Sequence, residues 1–153
     1  MNNPLAAALQ NGTLRVGYTT ADFPSAVRGL LAEQLVERGV AAARVDEIIG
    51  SVLRREETGS TCSGPIALPH ARVSGLGSII AGVGVNPAGV YPRGETRVMV
   101  AFVSPAEAAG EHLRFLSLVA KTFRDGGLVQ RVLGAGSEDE LLALLTSSEP
   151  LSR

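Results

Sequence analysis

The sequence predicts a single α/β or α+β domain over residues 1–153, on three observations. Two segments carry apolar residues at helical spacing: Val27, Leu30, Leu31 and Leu35, then Val45, Ile48, Ile49, Val52 and Leu53. Short apolar runs bounded by turn residues, the pattern of buried strands, lie at Ile66-Ala67-Leu68, Ser78 to Val85 and Arg97 to Val103. No repeat, linker or low-complexity stretch divides the chain, and 153 residues at 45% apolar content suffice for one sizeable core.

In order, Leu5 to Gln10 predicts a short helix closed by Asn11-Gly12. Residues 13–18 alternate weakly and predict a strand, placed at a sheet edge. Thr20 to Ser25 offers several N-caps around Pro24, and the helix they open runs to Gly39. The next helix spans Ala41 to Glu56. At about 100° per residue, Arg54 points away from its apolar stripe, whereas Arg55 lies at the margin, within reach of a neighbouring site.

Ile66 to Leu68 is then a strand ended by Pro69, which cannot donate to a ladder, and His70 follows at the strand end. A turn at Ser74-Gly75-Leu76-Gly77 leads into the strand over 78–85, where Gly82 and Gly84 permit close backbone approach. A loop over 86–94 precedes the strand over 97–103, ended by Ser104-Pro105. Ala106 to Glu111 leads into a helix reaching Arg124, with His112 in its first turn and on its inward face. Asp125-Gly126-Gly127 breaks it. A short helix over 128–133 follows, and Ser137-Glu138-Asp139-Glu140 is a capping box for a last helix to about Thr146; residues 147–153 read as a frayed end.

Composition excludes several function classes. Fourteen basic against fifteen acidic residues leave no electrostatic footprint for nucleic acid. No apolar run is long enough to span a membrane, and Met1 to Leu5 lacks the basic start of a signal peptide. Cys62 is the single cysteine, so no internal disulfide forms, and a cytoplasmic location is expected.

The residues that carry chemistry gather around Gly59-Ser60-Thr61-Cys62-Ser63-Gly64-Pro65-Ile66-Ala67-Leu68-Pro69-His70-Ala71. Taken alone each has a plain reading. His70 is a surface histidine, Arg55 a favourable cation at a helix C-terminus, Ser60 and Thr61 turn residues, His112 a buried core imidazole, and Cys62 an inert thiol. A metal or hydrolase site built on Cys62 or the two histidines lacks a third ligand or an orienting acid at any recognisable spacing. No cofactor and no metal are expected.

Together these residues resemble the phosphorylation-site motif of the type-2 IIA domains of the bacterial phosphotransferase system, the fructose/mannitol and nitrogen-regulatory class. That motif joins an Arg-Glu pair, Gly-Ser-Thr, a Gly-rich loop and apolar-Ala-apolar-Pro-His-[Ala/Gly]. Here it reads Arg55-Glu56, Gly59-Ser60-Thr61 and Ile66-Ala67-Leu68-Pro69-His70-Ala71. His112-Leu113-Arg114-Phe115-Leu116 resembles the family's helix-opening histidine segment. The loop departs from the pattern: it is about one residue short and has Pro65 where a glycine is usual.

The resemblance, which covers roughly residues 13–145, implies a mixed β-sheet of about five strands flanked by helices. It implies that His70 accepts phosphate from an HPr-like phosphocarrier, with His112 supporting and Arg55 stabilising the phosphate beside a loop of Ser60 and Thr61. Such a carrier needs an imidazole neutral at cell pH, one ring nitrogen tied to a carbonyl or carboxylate, and cations or N–H donors for the incoming dianion. The Gly-Ser-Thr form favours the nitrogen-regulatory branch, which binds target proteins. The alternatives are a sugar-specific IIA that passes phosphate to a IIB domain, and a phosphorylation-deficient binding module, which the altered loop favours.

Overall fold

The computed structural model describes residues 4–146, so the C-terminal segment expected to fray lies outside the described residues. Its elements are α1 (Pro4–Gln10), β1 (Thr13–Val16), α2 (Phe23–Glu37), α3 (Ala42–Thr58), β2 (Ile66–Ala67), β3 (His70–Val73), β4 (Ile80–Val85), β5 (Val98–Pro105), α4 (Ala109–Thr122), α5 (Gly126–Leu133) and α6 (Glu138–Thr146).

Five strands form one mixed sheet in which β1, β4 and β5 are successive neighbours. β4 and β5 run antiparallel, β1 lies parallel on the outer side of β4, and β2 and β3 both run parallel to β5 along its other side. Period-two alternation sends side chains to two separate cores. On β5, Val98, Val100 and Phe102 join Phe115 and Val119 of α4 and Leu141 of α6. Met99, Ala101 and Val103 join Leu30 and Leu31 of α2 and Ile48 and Val52 of α3. Helices thus cover both faces, which lets β4 and β5 be wholly buried.

The helix starts follow the capping logic. Asp22 accepts the Ser25 N–H at 2.9 Å to open α2, and Asp125 accepts those of Gly127 and Leu128 to open α5. Asp125-Gly126-Gly127 separates α4 from α5 as expected, and the Asp125 cap draws both glycines into the first turn of α5. At α6 Ser137 caps Glu140, but the Glu140 carboxylate takes the Gly136 N–H, one residue earlier than a full capping box. Gly82 admits α2 closely, since a Cβ there would lie 2.4 Å from the Leu30 carbonyl oxygen.

Some boundaries differ from expectation. β1 stops at Val16 because Gly17 turns the chain at φ +67°, and β4 starts at Ile80 rather than Ser78. β5 continues through Ser104 to Pro105, since a parallel partner, β3, extends alongside it. The main correction concerns Pro69, which interrupts the strand without ending it. Ile66 pairs with Val98 before it, and His70 pairs with Phe102 after it, in the same register. His70 therefore opens a strand. The missing Pro69 N–H costs one ladder bond, while its carbonyl still accepts the Phe102 N–H at 3.1 Å.

Candidate functional site

Register carries His70 to its place. Ile66, Leu68, His70 and Arg72 alternate with Ala67, Ala71 and Val73, and the second set packs in the core beneath α3. His70 thus turns to the opposite face, the α4 side, where its ring stacks on Phe102 with centroids 5.0 Å apart and planes 9° from parallel. His112, from the first turns of α4, meets it there with ring centroids 5.4 Å apart. Both imidazoles are almost fully enclosed, at 5% and 6% exposure.

The Nδ1 atom of His70 lies 2.6 Å from the carbonyl oxygen of Leu68. A carbonyl only accepts, so Nδ1 holds the proton and Nε2 keeps its lone pair. Burial pushes the His70 pKa down; the Leu68 hydrogen bond opposes that, Arg55 adds to it, and Glu56 opposes it. His112 is also lowered, first by burial and then by the charges of His70, Arg72 and Arg55. On the other side of its ring, His112 Nδ1 is hydrogen-bonded to the hydroxyl of Ser104, itself fully buried.

Arg55 stands in the last turn of α3, exposed, with one guanidinium nitrogen donating to the Gly59 carbonyl at 3.0 Å. Its charge lies near enough to lower the pKa of both imidazoles, behind burial as the larger cause. Ser60 and Thr61 lie beside it, but their hydroxyls are committed to Glu56. Ser60 Oγ donates to Glu56 Oε2 at 3.0 Å, and Thr61 Oγ1 donates to Oε1 at 2.7 Å. The Thr61 backbone N–H also goes to Glu56, at 2.8 Å.

Pro65 has a local explanation. Ser63 and Ile66 exchange backbone hydrogen bonds of 2.8 and 3.1 Å around Gly64-Pro65, and Gly64 supplies the positive φ of +57° that this turn needs. The Pro65 carbonyl then accepts from Arg97 and Val98 and starts the ladder of β2 on β5. The loop is therefore a closed turn in which proline sacrifices no needed donor.

The structure thus brings His70, His112 and Arg55 into one electrostatic neighbourhood, with Ser60 and Thr61 one layer out around Glu56. Sequence reasoning assigned no role to Glu56, Ser104 or Phe102. Glu56 had a readable signal: a carboxylate near a helix C-terminus opposes the helix dipole and calls for local donors. Ser104 and Phe102 had none: Ser104 meets His112 where α4 packs on β5, and Phe102 meets His70 by pairing across the sheet. Among the described residues no three His, Cys, Asp or Glu side chains cluster as a metal ion would require, and no helix is long and apolar enough to cross a membrane.

Residues 26–148 match the family model described as the phosphoenolpyruvate-dependent sugar phosphotransferase system, EIIA 2. The chain belongs to this EIIA family. It is 28% identical over 141 residues to the mannitol-specific phosphotransferase enzyme IIA component of Bacillus subtilis, covering 89% of this chain and 94% of that protein. The crystal structure of the nitrogen regulatory protein IIA-Ntr from Neisseria meningitidis superimposes with a TM-score of 0.77 at 22% identity, over 94% of this chain and 100% of that one. The Escherichia coli mannitol IIA, solved in complex with phosphorylated IIB, superimposes with a TM-score of 0.65 at 22% identity, over 88% and 94% of the two chains. The EIIA fold of these structures is the five-stranded mixed sheet with helices on both faces described above. Relatives of the chain thus include a sugar-specific IIA, and its fold is shared by both branches.

Proposed function

We propose that this EIIA-family chain is a phosphohistidine carrier, with His70 as the acceptor, His112 in support and Arg55 holding the phosphate. The observation that carries the reading is the His70 Nδ1 contact with the Leu68 carbonyl, which leaves Nε2 as the nucleophile. The donor is an HPr-like phosphocarrier protein. The N–P bond of its phosphohistidine breaks with the electron pair returning to the donor imidazole. The new bond forms from the Nε2 lone pair, and Nδ1 keeps its proton on Leu68.

The depressed pKa of His70 supports the reading, because only a neutral imidazole attacks. A Ser104 hydroxyl that donates to Nδ1 of His112 leaves the other ring nitrogen protonated as a hydrogen-bond donor for the phosphate. Arg55 adds a fixed positive charge. Leu113, next to His112 and 64% exposed, offers apolar area to a docking protein.

The downstream acceptor is either a IIB domain or a regulated target protein. The Gly-Ser-Thr form of the motif favours the regulatory branch. Detection of stable onward transfer to a sugar-specific IIB would contradict that preference. The acceptor atom is tested by ¹⁵N and ³¹P coupling in phosphorylated protein: the phosphorus is expected on Nε2 of His70, and a bond to Nδ1 would overturn the assignment.

A further inference from the structure

We propose that Glu56, acting through Thr61, is a positioning residue that fixes the tautomer and the placement of His70. Thr61 Oγ1 donates to Glu56 Oε1 at 2.7 Å and accepts the Leu68 N–H at 3.2 Å. Leu68 in turn offers its carbonyl to His70 Nδ1 at 2.6 Å. One continuous path therefore runs from a carboxylate on α3 to the ring that carries the chemistry.

Each link has a physical reason. Leu68 lies between β2 and β3, outside the paired residues of either strand, so its N–H needs another partner and Thr61 provides it. The Thr61 hydroxyl has one proton, and Glu56 takes it, so the oxygen must face Leu68 as an acceptor. Glu56 also collects the Thr61 N–H at 2.8 Å and the Ser60 hydroxyl at 3.0 Å, which anchors the loop to the helix. A carboxylate in the last turns of α3 works against the helix dipole. The three hydrogen bonds it accepts from Ser60 and Thr61 offset that cost. Pro69 completes the arrangement by stiffening the backbone between the Leu68 carbonyl and the ring it holds.

The path sets which nitrogen of His70 is free. With the Leu68 peptide held at its N–H, its carbonyl faces Nδ1 and the Nδ1–H tautomer dominates. With the peptide released, the carbonyl turns, and the Nε2–H form, which has no lone pair at the attacking position, gains population. The proposal rests on the carrier reading for its rate readout alone; the tautomer readout is independent of it.

The test compares wild type with Thr61→Val, Thr61→Ser and Glu56→Gln. The tautomer is read from long-range ¹H–¹⁵N spectra, in which a chain of two histidines gives only two imidazole systems. The rate of phosphate acceptance from an HPr-type donor is read in parallel. Wild type and Thr61→Ser are expected to hold a single Nδ1–H tautomer on His70. Thr61→Val and Glu56→Gln are expected to mix the tautomers and slow acceptance by about 10-fold, with the donor KM unchanged. A single wild-type tautomer and rate in both Thr61→Val and Glu56→Gln would overturn the proposal, as would equal loss in Thr61→Ser and Thr61→Val. If Thr61→Val does not fold, the near-isosteric Glu56→Gln decides by the same readouts. If wild type itself accepts no phosphate, the carrier reading fails while the tautomer comparison still decides this one.

Discussion

The ring of His70 lies flat on that of Phe102, 5.0 Å between centroids and 9° from parallel, because the two residues are register partners across β3 and β5. Phe102 is fully buried and also meets Phe115 edge-on at 4.7 Å. It therefore ties His70 to the core and keeps water off one face of the imidazole. Phe102→Leu should fold, cost on the order of 1–1.5 kcal/mol through lost packing, and raise the His70 pKa by easing its desolvation. Denaturant unfolding and an NMR titration of His70 check the two effects. An unchanged pKa would show that Phe102 only packs.

The two histidines also predict how stability depends on pH. Both have folded pKa values below their ordinary 6.5, chiefly through burial. Above pH about 6.5 both are neutral in the folded and unfolded chain, and their contribution is constant. Below that value the unfolded chain takes up protons first, so stability falls until the folded pKa values are reached. Urea unfolding at several values between pH about 5 and 7.5 should show this decline. Its slope should flatten in a His70→Asn, His112→Asn double variant. An equally steep decline in that variant would assign the effect to other groups.

Ser104 holds the second histidine. Ser104→Ala leaves buried Nδ1 of His112 without its partner, at a cost of about 1–3 kcal/mol. It should also slow phosphate acceptance, by about 10-fold or more, as loss of a supporting hydrogen bond does at other sites. Acceptance at the wild-type rate would remove His112 orientation from the account.

Arg55→Gln removes a positive charge that lowers both imidazole pKa values, so both should rise. Acceptance of phosphate should fall by about 10- to 100-fold, and the fold should persist, since Arg55 is exposed. Histidine titration and the transfer rate, measured together, separate charge from mere surface packing.

The sheet supplies a purely structural counterpart. In Gly82→Ala the new Cβ meets the Leu30 carbonyl oxygen at 2.4 Å, so α2 must shift from β4. A loss of about 1–3 kcal/mol is expected, with transfer chemistry unaffected once the protein is folded. Thermal unfolding measures it, and a neutral result would mean that α2 moves freely over the sheet.

How much of this was legible in the sequence differs by level. The helical stripes of α2 and α3 and the apolar runs of β4 and β5 were legible, because periodicity is a local property, whereas the helix-flanked mixed sheet came from the family resemblance. Pro69 misled, since the chain alone could not show that β5 continues far enough to receive a second parallel strand after the interruption. The histidines and Arg55 were visible as a motif and by helix register. Their orienting partners were not: Ser104 reaches His112 across eight residues, and Phe102 reaches His70 across the sheet. Ser60 and Thr61 were legible as loop hydroxyls, but their commitment to Glu56 depends on how the loop folds back over the end of α3.

The most direct measurement is intact-protein mass after incubation with phosphoenolpyruvate, enzyme I and HPr, for wild type and His70→Ala. The account predicts one acid-labile phosphate on wild type and none on His70→Ala. Phosphate retained on His70→Ala would contradict the acceptor assignment. No phosphate on wild type with this donor and with a nitrogen-branch donor would contradict the carrier function and leave protein binding as the role of this fold.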